Sequence, residues 1–152
     1  MSVPLNATIL KIKIQELLTK HNQAIETLGK GLEIPTLEII SHLSQLNNKI
    51  IFLGVGKTGL VAKKTCATFS SLGLPSFFIH PSEALHGDLG SIQDNDTCII
   101  LSNSGETDEI VQLIPALKSR NVFVISITGN PDSTLAKFAK INVNIGAVKE
   151  IC

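Results

Sequence analysis

The 152-residue sequence has no tryptophan and no tyrosine, and six phenylalanines supply all of its aromatic content. That scarcity removes the usual platforms on which nucleobases stack. An excess of one charge is missing as well, because 13 basic and 13 acidic side chains cancel. Without a basic surplus there is no electrostatic footprint for nucleic acid or for an anionic membrane surface. Long hydrophobic runs are also absent: the apolar stretches are strand-sized, well short of the ~20 residues that span a bilayer. Residues 1–20 lack a charged start followed by an apolar core, so they do not read as a secretory signal. Cys66, Cys98 and Cys152 form an odd, scattered set with no CxxC spacing, which favours unpaired thiols in a reducing compartment over a disulfide or metal role. Together these absences predict a cytoplasmic protein with neither a nucleic-acid nor a membrane partner.

What is present is a globular composition, 43% apolar against 17% charged, enough for one domain with a real core. Leu5, Ile9, Ile12, Leu17, Leu18, Ile25 and Leu28 keep a helical period that closes near Gly29. Pro35 suits the first position of a second helix, expected to turn Leu37, Ile40, Leu43 and Leu46 inward. An amphipathic pair of this kind covers a core or a partner subunit. Asn47–Asn48 marks the boundary between this helical lead, residues 1–48, and an α/β core, residues 49–152.

From Lys49 onward, short apolar runs alternate with helical patterns. "KIIFLG", "SFFIH", "TCIILS", "VFVISIT" and "INVNIG" read as strands. Between them lie "GLVAKKTCATFSSLG", stopped by Gly73, then "ETDEIVQLIPALKSR", kinked at Pro115, and "NPDSTLAKFAK". Alternation of this kind predicts a doubly wound, mainly parallel α/β sheet of five strands.

In open α/β sheets ligands bind beyond the carboxyl ends of the strands. Four polar or glycine-rich junctions occupy such positions: Gly54–Gly59, His80–Gly90, Ser102–Thr107 and Thr128–Ser133. In "SNSGET" the hydroxyls of Ser102, Ser104 and Thr107, with Asn103 and the close-approach residue Gly105, precede a helix expected to begin near Glu106. Free amides and a positive helix end there favour an anion such as a phosphate. Helix capping by Ser104 or Thr107 is the simpler structural use of the same residues, but it needs only one hydroxyl. "GVGKTG" matches the dinucleotide fingerprint by its glycines, yet lacks the acid expected ~20 residues on. It is no Walker A loop either, because Ile51 stands where the first glycine would be. What survives is a glycine turn placing Lys57 at the strand edge, able to reach an anionic or polarised oxygen. In "HPSEALHGDLG", His80 precedes proline and suits a structural hydrogen bond. His86, followed by Gly87, is the better acid–base candidate.

Read together, "GVGKTG", "PSFFIHPSEALHGDLG", "SNSGETDEI", "ITGNPDSTLAKFA" and "VKEIC" resemble the sugar isomerase (SIS) domain, and within it the D-arabinose-5-phosphate isomerases of the Kdo branch of lipopolysaccharide synthesis. "SNSGET" marks SIS domains in general, and "HPSEALHGDLG" narrows the match. The resemblance implies a flavodoxin-like three-layer fold. It implies reversible exchange of D-ribulose 5-phosphate and D-arabinose 5-phosphate through an enediol, no required cofactor, and a homotetramer. It places Gly56, Thr58, Ser102, Asn103, Ser104, Gly105 and Thr107 around the sugar phosphate. Lys57, Glu109 and Glu150 fall at catalytic positions, His86 lies beside the sugar, and His80 lies at the position of a non-catalytic inhibitory zinc. It further implies that the family fold continues past Cys152, through a proline- and threonine-rich segment to a histidine-bearing helix and often a CBS pair. A non-catalytic sugar-phosphate sensor is the alternative reading. A sensor needs only the phosphate loop, whereas Lys57, Glu109 and Glu150 together favour the enzyme.

Overall fold

The computed structural model describes residues 7–146, apart from the side chains of Thr27 and Lys30. Two helices lead, α1 (Ala7–Gly31) and α2 (Glu33–Ser44). Strands and helices then alternate: β1 (Ile50–Gly54), α3 (Gly56–Ser71), β2 (Ser76–Ile79), α4 (Pro81–Leu85), β3 (Thr97–Ser102), α5 (Asp108–Val111), α6 (Ile114–Ser119), β4 (Phe123–Thr128), α7 (Thr134–Phe138) and β5 (Ile141–Asn144). A 3₁₀ turn, Asp88–Ser91, sits between α4 and β3. All strand pairs are parallel, and their order across the sheet is β2-β1-β3-β4-β5.

The unbroken apolar runs follow from that architecture. Every residue of β1 and of β3 is buried, because helices cover both faces. Alternate side chains then divide between two cores. Ile51, Leu53, Cys98 and Ile100 face α4 through α7, with Ile110, Leu113, Leu117 and Leu135. Ile50, Phe52, Ile99 and Leu101 face α3 and α2, where the Phe52 and Phe69 rings meet edge to face at 5.2 Å. Each large apolar side chain buried this way contributes roughly 1.5–3 kcal/mol. Helix α3 ends as expected: Gly73 takes φ +85°, its amide bonds Ser70, and the Leu74 amide bonds Phe69, the paired bonds of a Schellman stop.

Several expectations need correction. Pro35 is the third residue of α2 rather than the first. Leu37 and Ile40 are 68% and 58% exposed, whereas Ile39, Leu43 and Leu46 pack on the sheet. The inward stripe is 39, 42, 43 and 46, which has true helical spacing but includes a histidine that an apolar reading passes over. The Nε2 of His42 lies 2.8 Å from the Thr97 hydroxyl, and its ring stacks on Phe123 at 3.6 Å. Burial holds its pKa below the ordinary value. The helix expected from Glu106 to Arg120 is two short ones. Pro115 lacks the amide that would continue the ladder, and the chain re-forms a helix from Ile114. At the amino ends of the strands, the buried Asp96 carboxylate accepts the Gln93 amide at 2.7 Å and pairs with Lys49 at 2.9 Å.

Candidate functional site

The strand order reverses between β1 and β3, the switch point where the crossovers leave on opposite sides and a crevice opens. Register brings the strand ends level at that edge. Gly54 lies beside Leu101, Ser102 beside Thr128, and Thr128 beside Asn144, so the junctions after β1, β3 and β4 share one edge of the sheet. The loop after β2 joins them, since Ile79 pairs with Leu53.

The glycines of the first loop have separate tasks. Gly56 takes φ +58°, which lets the chain turn out of β1. Gly54 and Gly59 are in backbone contact, and a Cβ on Gly59 would stand 2.6 Å from the Gly54 carbonyl oxygen. Helix α3 can therefore start directly on the strand. Lys57, exposed, occupies its second position. The Thr58 hydroxyl donates to the Val55 carbonyl at 2.9 Å, so its proton is already used and its side chain can offer a ligand only acceptor lone pairs.

The β3 loop is knotted around Ser102. Its buried Oγ accepts the Gly105 amide at 3.1 Å and shares a 2.8 Å hydrogen bond with the Thr107 hydroxyl. That pair holds two protons and spends one on the mutual bond, leaving one for a ligand. Ser104 is exposed and accepts the Glu106 amide at 3.2 Å, so its own proton also remains. Asn103 is exposed beside it. The loop thus offers hydroxyl donors rather than a strong helix end: α5 starts only at Asp108, spans four residues, and has Thr107 at its N-cap without a side-chain cap bond. Gly105 also differs from expectation. At φ +67° it lets the loop pack on Ser133, whose Cβ would lie 2.5 Å from a Cβ placed there. Its smallness is used against protein.

Glu109 is half-buried in the first turn of α5, on the same edge as Lys57 and the serine loop. His80 caps α4, its Nδ1 accepting the Ser82 amide at 3.2 Å, the structural bond expected of it. His86 is exposed at the other end of that helix. Glu150 lies outside the described residues. Among the described residues no three His, Cys, Asp or Glu side chains gather in a way that could hold a metal ion. No helix among them is long and apolar enough to cross a membrane. Sequence reasoning missed a buried polar knot under β4 and β5, where the Asn142 Oδ1 accepts the hydroxyls of Ser126 at 2.7 Å and Thr128 at 2.9 Å. The polar letters inside two otherwise apolar strands were its only signal.

The family model of the SIS domain matches residues 42–152. The chain belongs to the SIS domain family. Among curated relatives, Arabinose 5-phosphate isomerase KdsD of Shigella flexneri is 49% identical over 104 residues, which is 68% of this chain and 32% of that protein. Arabinose 5-phosphate isomerase KpsF of Escherichia coli is 41% identical over 140 residues, 91% of this chain and 43% of that protein. The SIS chain thus spans less than half the length of these curated relatives. A solved structure of an Escherichia coli CFT073 protein in complex with arabinose 5-phosphate superposes with a TM-score of 0.85 at 39% identity, covering 95% of this chain and 77% of that one.

Proposed function

We propose that this SIS domain carries the sugar-phosphate site of an aldose–ketose isomerase that interconverts D-ribulose 5-phosphate and D-arabinose 5-phosphate, feeding Kdo and lipopolysaccharide synthesis. The observation that carries the reading is the likeness, over nearly the whole chain, to a protein solved with arabinose 5-phosphate bound. The hydroxyl loop at the switch point supports it. Ser104 and the Ser102–Thr107 pair, with Asn103, grip the phosphate, while the Gly56–Lys57–Thr58 turn closes the opposite wall.

The reaction moves a proton between adjacent carbons through an enediol, so it calls for a base that can take the proton and return it. Glu109 or Glu150 is that base. Lys57 stabilises the oxygen that gains charge in the enediolate, and His86 assists ring opening or moves a hydroxyl proton. His80 is the position for an inhibitory zinc. No cofactor enters this chemistry. The working protein is a cytoplasmic homotetramer, with residues 1–48 as a helical lead to the core at 49–152.

The full-length protein that carries this domain, incubated with ribulose 5-phosphate, should yield arabinose 5-phosphate, and a purified full-length protein that makes none refutes the reading. Glu109→Gln and Glu150→Gln, assayed for solvent-deuterium entry at C1 and C2, identify the base. Unchanged exchange in both variants removes the carboxylates from the mechanism.

A further inference from the structure

Helix α7 begins with three backbone amides that its own turns cannot satisfy. Its N-cap, Ser133, reaches one of them, the Ala136 amide at 3.3 Å. The other two are met from another crossover. The Leu135 amide donates to the Gly105 carbonyl at 3.2 Å, and the Thr134 amide donates to Glu106 Oε1 at 2.6 Å. The dipeptide Gly105–Glu106, which lies inside the hydroxyl loop, therefore completes the cap of a helix 28 residues further along the chain.

We infer that Glu106 is a positioning residue, which fastens the phosphate-gripping loop to the start of α7 and so holds the hydroxyls of Ser102, Ser104 and Thr107 in their binding arrangement. This rests on the sugar-phosphate reading of the loop. The side chain is exposed, and three features make its task specific rather than solvating. Gly105 is pressed against Ser133, so the loop and α7 touch with no intervening side chain. The bond at Thr134 is short and charge-assisted. The adjoining residue, Thr107, is half of the hydroxyl pair that retains one donor proton. The Thr134 amide, ahead of the Thr134 hydroxyl and Lys137, also keeps the Glu106 carboxyl below its usual range. Glu106 thus serves as a hydrogen-bond acceptor at the start of α7.

Calorimetric titration of the whole chain with arabinose 5-phosphate, and separately with inorganic phosphate, tests this. Glu106→Ala should bind both about five- to tenfold more weakly, equivalent to about 1–1.4 kcal/mol. Glu106→Gln keeps an oxygen that accepts the Thr134 amide, and should stay within about twofold of the parent. An alanine variant that binds like the parent overturns the inference, and so does a glutamine variant that loses as much as alanine. Should the parent bind neither ligand, the sugar-phosphate reading fails. The clamp is then judged by amide hydrogen exchange, where residues 102–107 and Thr134 should together exchange about tenfold faster in Glu106→Ala. Unchanged exchange at 102–107 overturns it.

Discussion

Replacing Gly105 by alanine puts two costs on one atom. The backbone there sits at φ +67°, where a non-glycine residue costs about 1–2 kcal/mol. The new methyl also lands 2.5 Å from the Ser133 Cβ, and closer still to its hydroxyl. Relieving an overlap with a packed neighbour costs about 1–3 kcal/mol more. Gly105→Ala should therefore lower stability by roughly 2–5 kcal/mol, read from the urea midpoint at unchanged m-value. A second substitution separates the two costs. Ser133→Gly removes the obstructing side chain, and as an N-cap change to glycine it costs only a few tenths of a kcal/mol itself. In the double variant the steric part should vanish, leaving the ~1–2 kcal/mol of backbone strain and the few tenths lost with the cap. A double variant no more stable than Gly105→Ala, or a single variant indistinguishable from the parent, would refute the close approach of the loop to α7.

Three further outcomes follow from the packing. His42 has a lowered pKa in the fold, so the unfolded chain binds its proton more readily: this contribution is complete above the ordinary value near 6.5 and shrinks as pH falls below it. Urea midpoints between about pH 5 and 7.5 should show a slope that His42→Gln reduces. Asp96→Ala strips the buried acceptor of Lys49 and of the Gln93 amide, and should cost about 3 kcal/mol in chemical denaturation. The partly exposed Lys49 can rehydrate, which keeps that figure at the lower end. Cys98 is fully buried, and burial with Asp96 nearby pushes its thiol well above the usual range. Mass-resolved thiol labelling should leave it unmodified until the chain unfolds.

Much of the fold is legible in the letters, because burial on both faces forces β1 and β3 to be apolar without a break. The junctions could be found for the same reason: polar residues at the end of such a strand stand out. What stayed hidden depends on partners distant in the chain. Glu106 looks like a first-turn acid, yet it caps a helix that starts 28 residues later. Gly105 looks like room for a ligand, yet the space is filled by Ser133. His42 carries no apolar signature, although Phe123, far along the chain, gives it a stacking surface. Pro115 announced a bend, but not that the helix would split around it.

Around Gly129 the ends of three strands are stitched shut. Its amide bonds the Asn103 carbonyl at 2.9 Å, and a methyl on it would meet the Asn103 side chain at 2.6 Å and the Gly146 carbonyl at 2.9 Å. The Ile145 amide closes the seam on Thr128 at 2.8 Å. Among the described residues that flank is held together backbone to backbone. By contrast, a methyl on Gly56 would meet nothing within 4 Å. Among the described residues the edge of the sheet is therefore open beside the start of α3, where Lys57 is exposed.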